Sequence, residues 1–334
     1  NVLLSGGQGE VSPGGNAVKL SHNEFASVVS SCSAPDHDPQ HITAFRLLGA
    51  TFTFVVDLSR VGCACNLALY LVSAPARSEN GAPFRGRGDY YCDANMVGGQ
   101  WCPEVDIMEA NNHAFQATPH KCDRPVGDRH YNNCDRGGCA QNTRDQLMAY
   151  GVGHEYTIDT RKPFTVSTTF ESDHAGFSGF KTLLMQEGRH VALHHEGCSR
   201  DYLQQLTGAL SDGMSLIFSY WGDGAQTMAW MDSPPCGAQV CRGEQAGPGI
   251  ISQMRVTKAA GAPVEAPHPT QARWRPDGTT TTTTFAPELL ALRRRSGTIR
   301  WRVHPERCLT VDGGSHGGRL VSSECLRGDP RQRF

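Results

Sequence analysis

Three carboxylates stand within six residues of this sequence, at Glu104, Asp106 and Glu109. Paired carboxylates can cleave a glycosidic bond with retention of configuration: one attacks the anomeric carbon, and the other, about 5 to 5.5 Å away, protonates the leaving oxygen. An aspartate between them can hold the nucleophile, and crowding of the acids raises one pKa, which supplies the protonated acid. The alternative is an acidic, solvated strand face.

A β-strand must position these acids. Strand alternation places Glu104 and Met108 on one face and the apolar Val105 and Ile107 on the other, toward a core. Glu109 is out of phase with that pattern. One extra residue, a β-bulge after the aspartate, would return Glu109 to the face of Glu104. The apolar partners favour the catalytic interpretation over the solvated face.

Composition excludes several classes of function. The 334 residues carry 31 basic and 33 acidic side chains, so no basic excess exists to bind nucleic acid. No apolar run approaches the ~20 residues that cross a bilayer. The 13 cysteines contain no C-x2-C pair, which favours disulfides over zinc sites and predicts a secreted protein in an oxidising compartment. The chain begins at Asn1 without a visible signal peptide, which we interpret as a mature form or a fragment.

Hydrophobic patterning divides the chain into three parts. Residues 1–260 read as a β-rich domain, with one short helix predicted over residues 200–210. Strands are predicted within residues 46–59, 67–73, 156–170, 214–220 and 250–256. Residues 261–296 are rich in Pro, Ala and Thr and read as an extended linker. Residues 297–334 regain ordered character but are too few for an independent core.

The order of several motifs resembles glycoside hydrolase family 7, the cellobiohydrolases and endoglucanases. Residues 104–111 (EVDIMEAN) resemble its E-x-D-x-x-E-A-N signature. Further matches are NLALYLVS at 66–73, YCDAN at 91–95, TPHKC at 118–122, and residues 221–232, which resemble the family's W-D-x7-L-W-L-D strand pair. The resemblance covers roughly residues 12–257.

The resemblance implies a fold and a set of roles. The fold would be an all-β, concanavalin-like β-jelly-roll sandwich with an open substrate cleft on its concave sheet. Glu104 would be the nucleophile, Asp106 its supporting acid, Glu109 the general acid/base, and His120 its neighbour. The sugar subsites would be lined by Asn66, Tyr70, Tyr91, Asp93, Asn95 and Arg242, with Trp230 as a stacking platform. For Trp221 we expect core filling.

Family pairing also implies disulfides. Cys92 would pair with Cys102, Cys122 with Cys134, and Cys139 with Cys198. Cys63 would pair with Cys241 or Cys236, which leaves Cys32, Cys65 and one of those two without a partner in this chain. Met96 and Trp101 stand at both positions of one further family bridge.

Several segments depart from the family. Residues 96–103 replace a long loop, and the stretches 198–214 and 232–250 are also short, which favours an open cleft and endo-action. The segment before residue 14 is much shorter than in the family, so we expect a truncated catalytic domain. The last segment resembles one ricin-type β-trefoil repeat of family 13 carbohydrate-binding modules, with Cys308 and Cys325 as its internal bridge.

The sequence therefore predicts a secreted, monomeric, retaining endo-β-1,4-glucanase that acts on cellulose-type β-glucan without metal or other cofactor. Three alternatives remain. One is a cellobiohydrolase, one is a family 16-like β-1,3/1,4-glucanase, which shares the E-x-D-x-x-E strand but not the other motifs, and one is a carbohydrate-binding protein that has lost catalysis.

Overall fold

The chain forms two facing antiparallel sheets in a computed structural model that describes residues 2–3, 9–11, 17–29, 38–86, 89–258, 307–312 and 319–324. The strands are β1 (Val2–Leu3), β2 (Gly9–Val11), β3 (Ala17–Leu20), β4 (Glu24–Val28), β5 (Ala44–Phe45), β6 (Ala50–Asp57), β7 (Cys65–Val72), β8 (Glu104–Ala110), β9 (Phe115–His120), β10 (Gln141–Asn142), β11 (Tyr150–Gly151), β12 (Ile158–Asp159), β13 (Phe164–Asp173), β14 (Gly176–Gln186), β15 (Arg189–Leu193), β16 (Met214–Gly222), β17 (Gly249–Lys258), β18 (Arg307–Asp312) and β19 (Arg319–Glu324). The described residues also form three short α-helices, α1 (Arg200–Gln204), α2 (Thr207–Asp212) and α3 (Ala225–Asp232), and single 3-10 turns at Pro39–His41, Thr143–Asp145 and Gly243–Gln245. The all-β prediction is confirmed.

The strand order defines the two layers. One sheet, here called the carboxylate sheet because it contains β8, runs β1-β4-β16-β7-β8-β9-β10, with β5 paired to β16. The other, the back sheet, runs β15-β14-β13-β6-β17-β3-β2. Strands β7 to β10 all lie in the carboxylate sheet and β13 to β15 all lie in the back sheet. Within the carboxylate sheet, the pair of β7 with β16 joins segments that are far apart in the sequence.

Burial patterns explain why the sheets face each other. Strand β6 alternates buried and half-buried residues along its whole length, with Phe52, Phe54 and Val56 turned into the core. Every residue of β7 is buried, because its inner face meets the back sheet and its outer face is covered by the segment that leads to β8. Phenylalanines from β6, β13 and β14 fill the space between the sheets. Burial of such apolar surface is the main stabilising term of the sandwich.

The predicted bulge in β8 is confirmed. Against β9, Asp106 pairs with Thr118 and Glu109 pairs with Gln116, so two residues of β8, Ile107 and Met108, oppose the single residue Ala117 of β9. The expectation for Met108 is wrong. Its side chain is fully buried in the core beside that of Ile107. The two adjacent residues of the bulge both turn inward, and this brings Glu109 back to the outer face.

Five disulfides brace the sandwich in the part of the chain that the structure describes. Cys92–Cys102, Cys122–Cys134 and Cys139–Cys198 are the pairs that the resemblance implies. Cys63 takes Cys236, one of its two predicted partners. Cys65 was expected to lack a partner in the chain, and this is wrong, because it pairs with Cys241. The last two bridges lie side by side and tie the start of β7 to the segment after α3.

Two expectations around the second tryptophan motif are also wrong. Residues 225–232 form helix α3 and not the second strand of a pair. Trp221 is 40% exposed at the end of β16 and does not fill the core, because its neighbour Tyr220 takes the inward position. The helix predicted over residues 200–210 is present as two pieces, α1 and α2.

Some predictions fall outside the described residues. These are the linker at 261–296 and the proposed pairing of Cys308 with Cys325; Cys32 lies outside as well. Strands β18 and β19 pair as an antiparallel hairpin, and the trefoil assignment stays a prediction. Among the described residues, no helix has the length and apolarity to span a membrane.

Candidate active site

The three carboxylates lie together on the outer face of the carboxylate sheet. Strand β8 sits between β7 and β9, and its register places Glu104 opposite His120 and Asp106 opposite both Tyr70 and Thr118. Glu104 and Asp106 retain only 6% and 4% of their exposure, whereas Glu109 is half-buried. The strand therefore places two deeply buried acids beside one that reaches the surface.

A tight turn holds Glu104. Its Oε2 atom accepts a hydrogen bond from the backbone N–H of Ala94, at 2.9 Å. The same turn is tied by Asp93, whose Oδ1 accepts from the N–H groups of Asn95 and Val97, each at 2.9 Å. Burial, and then the neighbouring Asp106 carboxylate, raise the pKa of Glu104 well above its usual value, and the Ala94 donor opposes that rise.

Asp106 sits in a chain of proton-sharing groups. Its Oδ2 lies 2.9 Å from Nε2 of His120, and Nδ1 of the same ring lies 2.8 Å from the carbonyl oxygen of Asp135. A carbonyl only accepts, so Nδ1 carries a proton, and a second proton must lie between Nε2 and Asp106. Burial, followed by repulsion from Glu109 and Asp93, raises the pKa of Asp106 well above its usual value, although a hydrogen bond with Glu104 opposes the shift.

Glu109 is positioned by Asn66. The Asn66 amide donates to Oε1 of Glu109 at 3.0 Å, and its Oδ1 accepts from the N–H of Ala110 at 3.1 Å. Both arms of a fully buried amide are thus used, which fixes its orientation. Burial raises the pKa of Glu109, and the Asn66 donor opposes that rise. A protonated Glu109 suits the role of general acid.

Tyr70 and Tyr91 lie next to the buried acids. Their hydroxyl groups are 2.9 Å apart. Burial raises the pKa of both phenols well above 10, with the charge of Glu104 as a further cause, so both stay neutral hydrogen-bonding groups. Burial also raises the pKa of Asp93, which lies beside this pair. The structure therefore brings Asn66, Tyr70, Tyr91 and Asp93 to the carboxylates.

The remaining predicted residues lie farther from the acids. Trp230 is 42% exposed on α3, and Asn95 is exposed in the turn that holds Glu104. Arg242 is exposed directly after Cys241. Trp221, not predicted to contact sugar, pairs in register with Asn66 on the same outer face. That position places an exposed indole one strand away from the residue that holds Glu109.

Two groups in the site had no sequence signal of their own. Gln116 lies opposite Glu109, and Asn142 donates to its Oε1 at 3.1 Å. The N–H of Ala94 is a backbone donor that no residue-type pattern reveals. Register across β8 and β9 would have found Gln116 once the bulge was placed, because the pairing then follows by counting.

Two clusters among the described residues have the composition of a metal site. Glu104, Asp106 and His120 bring ligand atoms within 4.8 Å of one another, but their contacts with each other, Ala94 and Asp135 already satisfy them. In the second cluster, Cys63 and Cys236 are joined in a disulfide, which leaves no thiolate for a metal beside His113. Neither cluster needs a cation to explain its burial.

Comparison with known proteins agrees with this geometry. The family model described as glycosyl hydrolase family 7 matches residues 89–201, which contain all three acids. Probable endo-beta-1,4-glucanase celB of Aspergillus clavatus is 30% identical over 261 residues, covering 65% of this chain and 62% of that protein. Endoglucanase 1 of Humicola insolens is 30% identical over 267 residues, covering 65% and 66%. The chain spans about six tenths of the length of these curated relatives.

Solved structures share the fold. A structure described as endoglucanase I complexed with cellobiose matches with a TM-score of 0.60 and 22% identity, over 74% of this chain and 77% of that one. The GH7 family cellobiohydrolase from Daphnia pulex matches with a TM-score of 0.58 and 23% identity, over 75% and 80%. These likenesses confirm the predicted jelly-roll sandwich. The family model and the curated relatives show that this chain is similar to glycosyl hydrolase family 7.

Proposed function

We propose that the protein is a retaining endo-β-1,4-glucanase that hydrolyses cellulose-type glucans. One observation carries the proposal: the bulge in β8 puts Glu104, Asp106 and Glu109 on one face, with Glu109 the most accessible of the three. Two carboxylates arranged this way carry out double displacement at an anomeric carbon. The curated relatives named as endoglucanases support the same substrate class for this chain.

The first step breaks the glycosidic bond. An ionised Glu104 attacks the anomeric carbon, while Glu109 gives its proton to the departing glycosidic oxygen. The glycosyl–Glu104 ester then holds the sugar and the shortened chain leaves. In the second step Glu109, now ionised, takes a proton from water, and the resulting hydroxyl attacks the same carbon and releases Glu104.

Asp106 and His120 regulate the charge of the nucleophile. Two crowded, buried carboxylates cannot both ionise without a large penalty, so Glu104 can be anionic only while Asp106 shares a proton. The proton between Asp106 and Nε2 of His120 meets this need. We assign Asp106 and His120 as the groups that keep Glu104 ionised and oriented.

Polar and aromatic groups around the acids would bind the glucan. Tyr70, Tyr91 and Asp93 would hydrogen-bond sugar hydroxyls beside Glu104. The buried Asn66 would act through Glu109, whose carboxylate its amide holds. Asn95, Arg242 and the exposed rings of Trp221 and Trp230 extend this surface. Indole faces suit pyranose rings because both are flat and partly apolar. The shortened segment 96–103 favours an open cleft that accepts the middle of a chain.

The disulfides support an oxidising compartment for this protein. Ten cysteines pair in the described residues, which supports a secreted, extracellular enzyme. We also expect it to act as a monomer. Wild type and Glu104→Gln should be compared on soluble cellulosic glucan, with Glu171→Gln on the back sheet as a charge-matched control.

The expected result is rapid chain shortening by wild type and the control, and a loss of at least about a thousandfold in Glu104→Gln. Equal activity of wild type and Glu104→Gln would refute the role of Glu104. Preferential hydrolysis of laminarin would instead favour the β-1,3/1,4-glucanase. Processive release of cellobiose from crystalline cellulose would favour the cellobiohydrolase, and binding without turnover the catalytically lost protein.

A further inference from the structure

The C-terminal end of helix α3 is held by two polar side chains that come from beside the active site. Arg144 donates through one terminal nitrogen to the carbonyl of Trp230, at 2.8 Å, and through the other to the carbonyl of Ser233. Asn142 donates to the carbonyl of Met231 at 2.8 Å. The last carbonyls of a helix have no partner inside the helix, so these contacts complete its end. A cation there also complements the helix dipole.

The same Asn142 reaches the catalytic strand pair. Its amide also donates to Oε1 of Gln116, which lies opposite Glu109 in the register of β8 and β9. Its Oδ1 accepts from the N–H of Arg144 at 2.9 Å, so both arms of Asn142 are occupied. A continuous set of hydrogen bonds thus runs from the neighbour of Glu109 to the backbone of α3.

A second set of contacts fixes the helix from the other side. The Asp232 carboxylate is buried and accepts from the N–H of Ala64 and from the amide of Asn111, each at 2.8 Å. Asn111 is the first residue after β8 and lies two positions after Glu109. Both donors to Asp232 therefore lie at the ends of strands of the carboxylate sheet, Ala64 directly before β7 and Asn111 directly after β8.

The position of the Trp230 ring depends on where the helix is placed. The ring is 42% exposed, and its Nε1–H donates to the carbonyl of Thr227 in the same helix, at 2.8 Å. The indole is thus fixed to α3 by its only polar atom. Helix α3 has eight residues, and such short helices need tertiary contacts to keep their position.

We propose that Arg144 and Asn142 are positioning residues that set the Trp230 platform relative to Glu109 and thereby the affinity for glucan. This inference rests on the proposed function, in which Trp230 stacks on a sugar ring. It adds two residues that touch neither the reacting atoms nor the sugar in this scheme, and that act through the backbone of α3.

Arg144→Met tests the inference because it keeps the stem and removes every donor. Arg144→Lys restores one cationic donor, and Arg161→Met, which breaks the ion pair with Asp159 away from the site, is the matched control. Each variant is measured with cellopentaose, alone and combined with Trp230→Ala. Collisional quenching of Trp230 fluorescence, taken as the difference from a Trp230→Phe background, reports the position of the ring without any turnover.

We expect Arg144→Met to raise KM five- to tenfold with kcat within twofold, and to increase quenching of Trp230. Arg144→Lys should bring both KM and the quenching of Trp230 part of the way back to the wild-type values, and Arg161→Met should match wild type in both. In the Trp230→Ala background, Arg144→Met should add no further change in KM. The inference would be overturned if Arg144→Met raised KM by the same factor in the Trp230→Ala background, or if Arg144→Met left the quenching of Trp230 unchanged. If wild type hydrolyses no glucan but Arg144→Met still increases the quenching of Trp230, the proposed function is refuted, while the positioning of the ring by Arg144 stands.

Discussion

Nε2 of His120 lies 2.9 Å from Oδ2 of Asp106, while Nδ1 of the same ring donates to the carbonyl of Asp135. This pairing determines where protons can sit in the site. The carbonyl fixes the proton on Nδ1, so the other nitrogen either accepts from a protonated Asp106 or donates to its carboxylate. In both cases the negative charge of the Asp106 carboxylate is neutralised or paired, so it repels the Glu104 carboxylate less.

The acid limb of the activity profile should therefore depend on His120. The charge of His120 lowers the pKa of Glu104. In His120→Asn the amide can keep the contact with Asp135 but cannot reach Asp106, so the pKa of Glu104 rises. Because the nucleophile must be ionised, the acid limb of kcat/KM should move to higher pH, by about one unit.

The matched control is His130→Asn. His130 is also buried and also contacts a carbonyl through Nδ1, that of Arg77, but it lies outside the site. Its profile should overlay that of wild type. An unchanged acid limb in His120→Asn would show that the ring does not influence the ionisation of Glu104.

Glu109 should matter in proportion to the basicity of the leaving group. The amide of Glu109→Gln cannot protonate the leaving oxygen of a sugar, which is a poor leaving group as an alkoxide. Hydrolysis of cello-oligosaccharides should therefore fall by about 10³-fold. A dinitrophenyl cellobioside needs no protonation when its bond breaks, and the burst of phenol should fall by less than about tenfold. Equal losses on the two substrates, measured by pre-steady-state kinetics, would assign Glu109 another role.

Asn66 should set the alkaline limb. Its donated hydrogen bond favours the ionised form of Glu109. Asn66→Asp keeps an acceptor for the N–H of Ala110, removes the donor and adds a negative charge, so the pKa of Glu109 should rise. Because the general acid must be protonated, activity should persist to higher pH, with the alkaline limb shifted upward by about one unit. A downward shift would contradict this, and Asn133→Asp, at a surface position, controls for added charge.

The geometry of strand β8 was predictable from local spacing, and its surroundings were not. Alternation and the spacing of Glu104, Asp106 and Glu109 required a bulge, which the structure has. The direction of the Met108 side chain was predicted wrongly because strict alternation does not hold at a bulge. In the sheet, the adjacent side chains of Ile107 and Met108 both turn inward. Helix α3 depends on capping by Arg144, more than 80 residues away, and no local pattern contains that contact.

The paired bridges Cys63–Cys236 and Cys65–Cys241 should show strong non-additivity. Each closes a chain segment of more than 170 residues, which alone would correspond to about 5 kcal/mol of loop entropy. While one bridge is intact, however, the other closes only the few residues between neighbouring cysteines, about 2 kcal/mol. Removal of either pair by double serine substitution should therefore cost about 2 kcal/mol of unfolding free energy, and removal of both about 7 kcal/mol. Denaturant titration of the three variants measures this, and equal increments would contradict it.

His195 should make the fold less stable in acid. The ring is 4% exposed, packs 4.7 Å from the Phe180 ring, and has no hydrogen-bond partner for either nitrogen among the described residues. Burial lowers its pKa from 6.5 to about 4, and a weak interaction with the Cys139 backbone only partly opposes that shift. The unfolded chain therefore binds a proton that the folded chain refuses between these values. Stability is complete above pH 6.5 and falls as the pH drops toward 4, by up to about 3 kcal/mol.

His195→Asn removes the titration and suits the positive φ of 50° at this position, which asparagine adopts readily. The unfolding free energy of this variant should depend less on pH between 4 and 6.5 than that of wild type, whatever its absolute value. His154→Asn, at a highly exposed histidine, should keep the wild-type slope. Parallel curves for wild type and His195→Asn would mean that the buried ring gains a partner or water when it is protonated, and that its burial does not control acid stability.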